Sequence, residues 1–223
     1  MSQYFDTAIK GLSESLLTMA SKAELAVNTA TRALVDRDDD LALTVERTDS
    51  EIDQLEIDID EQCILLLSQA PLARDLRFIA VAMKICTDLE RVGDEATTIA
   101  RRTRELNQEP QLKEYVDIPN MVRKAMEMMD QALKAFVSGD AESARAVIPQ
   151  DKEVDRTNKR LHQELASFMA ENPANISRCL NLMVISKSIE RIADHAKNIA
   201  EVAVYLCNAE DIRHQSNVLS PDA

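Results

Sequence analysis

The sequence predicts an all-α protein built as two tandem three-helix bundles related by internal duplication. Three observations lead there. Glu90-Arg91-Val92-Gly93-Asp94 returns one hundred positions later as Glu190-Arg191-Ile192-Ala193-Asp194. Ile85, Ala96, Ile99 and Ala100 return in the same register as Ile185, Ala196, Ile199 and Ala200, so one long helix has been duplicated, and such a repeat governs the whole fold. The chain is 45% hydrophobic but only 3% aromatic, with no tryptophan and three glycines. Its apolar residues are mostly Leu, Ile, Ala and Met, and Ala, Leu and Met are strong helix formers.

Prolines and short polar clusters divide the chain into helices. Leu12, Leu16, Met19, Ala23, Ala26, Ala30 and Leu34 follow helical spacing and give a first helix from about Gln3 to Val35. The acidic run from Asp36 to Asp40 makes a turn and a helix N-terminus, where carboxylates favour the positive end of the dipole. A second helix follows from about Leu41 to Gln69, with Ile52, Leu55, Ile59, Cys63 and Leu66 inward. Pro71 sits near the first turn of a third helix, where its missing N–H costs nothing. That helix runs to about Leu106.

Past a polar stretch containing Pro110 the pattern restarts. Pro119 opens a fourth helix ending near Gly139, and a fifth runs from about Ala141 to Ala170. Pro149 should kink that helix or split off its first turn. Asn172-Pro173 breaks it, and a sixth runs from about Asn175 to Cys207. Asp49-Ser50-Glu51-Ile52-Asp53 in the second helix is echoed by Asp151-Lys152-Glu153-Val154-Asp155 in the fifth. Three amphipathic helices with short loops pack as an antiparallel bundle. The first repeat thus covers residues 1–107, a linker 108–116, the second repeat 117–208 and a tail 209–223, with the bundles end to end or side by side.

Charge and composition narrow the function. A net charge of −13 argues against nucleic acid, which requires a basic stripe to neutralise phosphates, and against docking on anionic lipid. The polar stretch Met1 to Asp6 shows no signal peptide, and no run approaches the roughly 18 to 20 apolar residues of a membrane span. Cys63, Cys86, Cys179 and Cys207 lie inside helical patterns without a CxxC pair, which reads as buried reduced thiols and a cytoplasmic protein.

The repeated carboxylates carry the chemistry. At about 100° per residue, Ile85, Leu89, Val92, Ala96 and Ile99 form the core stripe of the third helix, and Glu90 and Asp94 lie on the opposite face. A solvated acidic face is the plain reading of one such pair. Two features weigh against it. The stripe continues backwards through apolar Leu76, Ile79, Met83 and Cys86, and in the second half through Ile176, Cys179 and Met183, so something docks there, with a homodimer as the expected form. The pair also survives duplication while Gly93 became Ala193, Glu95 became His195 and Arg101 became Glu201.

Asp49 and Asp53, like Asp151 and Asp155, flank the core side of their helices and are placed to face a neighbour. Each bundle then brings four acids: Glu90, Asp94, Asp49 and Asp53, then Glu190, Asp194, Asp151 and Asp155. Gathered carboxylates repel, and protonation or a cation relieves this. Hard oxygen ligands suit Mg²⁺, Ca²⁺, Mn²⁺ or iron, bound independently by the two halves.

The remaining residues read as structural. Arg91 and Arg191 each precede an aspartate by three and pair with it on the helix surface. His195 points to a different side and reads as a polar surface histidine, while His162 and His214 carry no signal. Met126, Met128 and Met129 read as core filler. No Gly-rich phosphate loop, HExxH or G-x-S-x-G is present, and the Glu-x-x-His element of di-iron bundles is missing.

Leu89 to Asp94 with Ile99-Ala100, and Ile189 to Glu201, resemble the two signature segments of the PhoU family. Pro71-Leu72-Ala73-Arg74-Asp75-Leu76-Arg77 resembles that family's lead-in to its third helix, and the resemblance extends from about Phe5 to Leu206. It implies two three-helix bundles and a non-catalytic cytoplasmic regulator of phosphate homeostasis. Such a protein would repress phosphate uptake and the starvation response, linking the ATPase subunit of a phosphate ABC transporter to a phosphate-sensing histidine kinase. It also implies iron, manganese, zinc or magnesium on the acid pairs. Ala193 departs from the glycine usual in the signature, and its methyl group would tighten space near the second site. The competing function is a carboxylate-bridged metal store or metalloenzyme, disfavoured by the lack of histidine near the acids.

Overall fold

A computed structural model describes residues 3–68 and 73–212, except the side chains of Gln3, Tyr4 and Asp6. Its α-helices are α1 (Gln3–Asp36), α2 (Asp39–Leu67), α3 (Ala73–Asn107), α4 (Asp117–Ser138), α5 (Ala141–Val147), α6 (Asp151–Glu171) and α7 (Ile176–Asn208). Pro71 and His214 lie outside the described residues.

Local chemistry sets the boundaries. After α1, Arg37 takes a left-handed φ of 56°. Asp38 then caps α2, its carboxylate accepting from the backbone N–H groups of Asp40 and Leu41, both at 3.0 Å, which satisfies donors the first turn leaves over. Gly139 ends α4 at φ 67°, a conformation that suits a residue without a β-carbon, and Asp140 caps α5 through Glu142 and Ser143. The expected fifth helix is two. Pro149 sits in a 3₁₀ turn over Ile148–Gln150, because its ring removes a donor and clashes with the preceding turn. The segment split off is α5, longer than one turn.

The two halves lie side by side. Helices α1, α2 and α3 pack mutually, α4, α5 and α6 pack on α7, and α3 lies along α7. Side-chain pairs Asp88–His195, Glu95–Arg191 and Arg102–Asn181 run in opposite directions along the chain, so α3 and α7 are antiparallel. The buried residues of both halves form one continuous cluster, from Leu12 and Leu16 through Ile85 and Leu89 to Ile185 and Ile189. Met126, Met128 and Met129 are buried in it, as their spacing predicts. Phe78 stacks on Phe136 across the two halves with centroids 5.5 Å apart.

The linker is held down from both sides. An amino group of Arg37 donates to the Asn107 and Glu109 carbonyls at 3.0 and 2.6 Å. Arg178 donates to the Pro110 carbonyl at 3.0 Å.

Because α3 and α7 are each packed on more than one side, the apolar stripe that continues from the acid pairs is not a free surface. Ile79, Cys86 and Cys179 are fully buried within the chain, which removes this argument for a homodimer. Leu76 and Ile176, each 42% exposed, remain open, and Met83 and Met183 are half-buried. Cys63, Cys86 and Cys179 are buried free thiols and Cys207 is half-buried.

Candidate functional site

The acid pairs sit where α3 and α7 face the second long helix of their own half. Glu90 does not stand on an outward face: only 18% of its side chain is exposed, against 47% for Asp94. The core spreads around more of α3 than one stripe, so Glu90, about 100° round the helix from Leu89, still lies within reach of Glu56 on α2.

In the first half, burial and then the charge of Asp94 push the Glu90 carboxyl up to about 7. Burial also raises Asp49, with the Asp53 and Asp94 charges adding and the adjacent Thr97 hydroxyl opposing. Glu56, on the same side of α2, is raised by burial and then by Asp60 and Asp53. Five acids, Asp49, Asp53, Glu56, Glu90 and Asp94, thus feel one another. Arg91 answers them from the surface, 3.4 Å from both Glu90 and Asp94.

In the second half, Asp155 and Asp194 are both raised by burial and then by the charges of Asp151 and Glu190. Asp151 is 4% exposed and accepts a hydrogen bond from Lys197 at 3.0 Å, while Lys187 pairs with Glu190. The eight sequence-predicted acids therefore gather into two clusters, Glu90, Asp94, Asp49 and Asp53 in one, Glu190, Asp194, Asp151 and Asp155 in the other. As the side chains stand, no three His, Cys, Asp or Glu groups among the described residues are arranged to hold a metal ion. A shared ion would need half-exposed groups such as Asp94 to turn inward.

Other assignments change with the fold. Arg191 reaches Glu95 across the seam at 3.1 Å instead of pairing with Asp194, whereas Arg91 does pair with Asp94. His195 is not a surface histidine. Its Nδ1 meets Asp88 at 2.8 Å in the same seam, because α7 turns that side of the helix to α3. Ala193 is buried without exposure, and the buried Val154 stands at the position matching Ile52 of the first half. Sequence reasoning missed Glu56 and the lysines. Seven residues after Asp49, Glu56 shares its face of α2, and that spacing was a usable signal.

A PhoU domain model matches residues 16–103 and again 118–203. The chain belongs to the PhoU family. A Pseudomonas aeruginosa relative, the phosphate-specific transport system accessory protein PhoU homolog, is 41% identical over 216 residues, covering 96% of this chain and 89% of that one. The crystal structure of PhoU from Pseudomonas aeruginosa superposes with a TM-score of 0.89 at 40% identity, covering 92% of this chain and all of that one. The phosphate transport system regulatory protein PhoU from Streptococcus pneumoniae gives a TM-score of 0.88 at 29% identity, covering 93% of this chain and 99% of its own. Both neighbours match across both halves, so the duplicated bundle is the family fold. No described helix is long and apolar enough to cross a membrane.

Proposed function

We propose that this protein is a cytoplasmic negative regulator of phosphate uptake and of the phosphate-starvation response. In this reading it binds the ATPase subunit of a phosphate ABC transporter and a phosphate-sensing histidine kinase, and carries transport status from one to the other without catalysing a reaction. The observation that carries it is the match of both repeats, over nearly the whole chain, to accessory proteins of phosphate-specific transport. The net charge of −13 fits protein partners with basic surfaces better than nucleic acid. Affinity capture of the tagged chain from its own cells at high and low phosphate tests it. Recovery of a transporter ATPase and a histidine kinase, in proportions that change with phosphate, is the expected result; recovery of neither would overturn it.

A second reading concerns the first cluster. We infer that Glu90, Asp94, Asp49 and Asp53 are ligands for a divalent or trivalent cation, with Glu56 close by. Their donor set is all oxygen, suited to magnesium, manganese or iron, and among the described residues no lysine acts on Asp49 or Glu90. A bound cation would offset the mutual repulsion of the acids and stabilise the fold by linkage. The rival metalloenzyme is disfavoured because the imidazoles among the described residues are otherwise engaged, His195 with Asp88 and His162 with Ser186 at 3.0 Å.

A further inference from the structure

The two halves neutralise their acids by different means. In the second, the Lys197 ammonium sits 3.0 Å from one oxygen of Asp151, and the other, Oδ1, is buried without a hydrogen-bond partner. Burial acts to lower the Lys197 ammonium, but the hydrogen bond and charge of Asp151 outweigh it, and the group is held above its ordinary value. It acts on Asp194 as well, and Lys187 holds Glu190. Four acids there face two paired lysines, with Lys159 acting on Asp155.

One hundred positions earlier stand Thr87 and Thr97. Thr97 is 3% exposed and lies beside Asp49, yet its hydroxyl closes no good hydrogen bond. Among the described residues no ammonium enters the first cluster. Arg91 is 59% exposed, and Arg101 is drawn to Glu46 at 3.5 Å. Five acids are thus left with peripheral arginines only.

We propose that the Lys197 ammonium is the resident cation of the second cluster, so that only the first, with threonine in that place, recruits a metal ion. This rests on reading the first cluster as a cation site. A cation entering the second half would meet an ammonium already hydrogen-bonded to its most buried donor. It would have to break that charge-assisted bond and then tolerate the displaced charge nearby. In the first half nothing needs to leave. The duplication therefore kept both acid pairs but divided their roles, with one half closed internally and the other open to solution.

The test is Mn²⁺ bound per chain after equilibrium dialysis of the full-length protein, read by electron paramagnetic resonance, beside melting curves in chelator. Wild type should lose its Mn²⁺ when Glu90→Gln and Asp94→Asn are combined and keep it when Glu190→Gln and Asp194→Asn are combined. Thr97→Lys should abolish binding. Lys197→Thr should add a second component that Asp194→Asn removes, and in chelator it should melt lower, by on the order of 5 °C. Lys197→Gln, closer in size, guards against loss of fold, and adding Asp151→Asn should recover part of the loss. Loss of wild-type Mn²⁺ on neutralising Glu190 and Asp194, or no gain in either folded Lys197 variant, would overturn the assignment of Lys197. Absence of Mn²⁺ from every variant would overturn the reading of the first cluster itself.

Discussion

Ile52 closes the space beside Gly93: its Cδ1 lies 2.9 Å from where a β-carbon at that position would sit, and its Cγ2 lies 3.4 Å away. This pair joins α2 to α3 one residue from Asp94 and one from Asp53. The second half holds Ala193 and Val154 at the matching positions, and valine lacks the δ-carbon that would collide. A larger residue on one helix is matched by a smaller one on the other.

Gly93→Ala should therefore forfeit most of the roughly 1 kcal/mol that alanine brings over glycine inside a helix, because Ile52 Cδ1 must give way. Ile52→Val in the same chain should recover most of that loss. Denaturant melts of the two single variants and the double would show it. Additive effects would mean that the contact does not set the choice of glycine.

Glu90 gives a pH dependence with a definite sign. Its folded value of about 7 exceeds the ordinary 4.5, so folding takes up a proton between the two. This contribution to stability is present below 4.5 and is lost as pH rises through about 7. Metal-free protein should be more stable near pH 5 than near pH 8 by this term, on the order of 1 kcal/mol once solvent screening is allowed for. Glu90→Gln should flatten that slope and stabilise the chelated protein at pH 8. An unchanged slope in the variant would place the titration elsewhere.

Thiol chemistry reports on packing. Burial pushes the Cys86 thiol up to about 12 and Cys63 up to about 11, and both are fully buried. With thiolate as the reactive form, a disulfide reagent on the native protein should titrate Cys207 first. The other three should follow only as the protein unfolds. Rapid reaction of Cys86 in native buffer would contradict the burial.

The seam between α3 and α7 yields a stability test. Glu95 has 13% of its side chain exposed and is met by Arg191, while its second oxygen is buried without a partner. Removing the arginine alone leaves a mostly buried charge, so Arg191→Ala should destabilise more than the pair Arg191→Ala with Glu95→Gln. A coupling of about 0.5–1 kcal/mol is expected from a double-mutant cycle. Zero coupling would mean that the bridge contributes nothing across the halves.

Much of this was legible in the sequence because it is local. The 3.6-residue period of Leu12, Leu16, Met19 and Ala23 placed α1, the Asp36 to Asp40 run placed the next N-terminus, and the duplicated pentapeptide showed two like halves. What remained hidden depends on which helices meet. A helical wheel put Ile79 and Cys179 on a free stripe, but α3 and α7 are buried on several sides. His195 looked like a surface residue until α7 lay against Asp88. Lys197 stood in plain view three residues after Asp194, and its partner Asp151 is 46 positions away, so the sequence alone could not show that a lysine fills the second cluster.

The most direct test of the regulatory account is the expression of phosphate-starvation genes in a strain lacking this protein, grown with abundant phosphate. The account predicts that those genes stay on, and that the wild-type chain supplied in trans shuts them off again. Normal repression in the deletion strain, unchanged by adding the chain back, would contradict it.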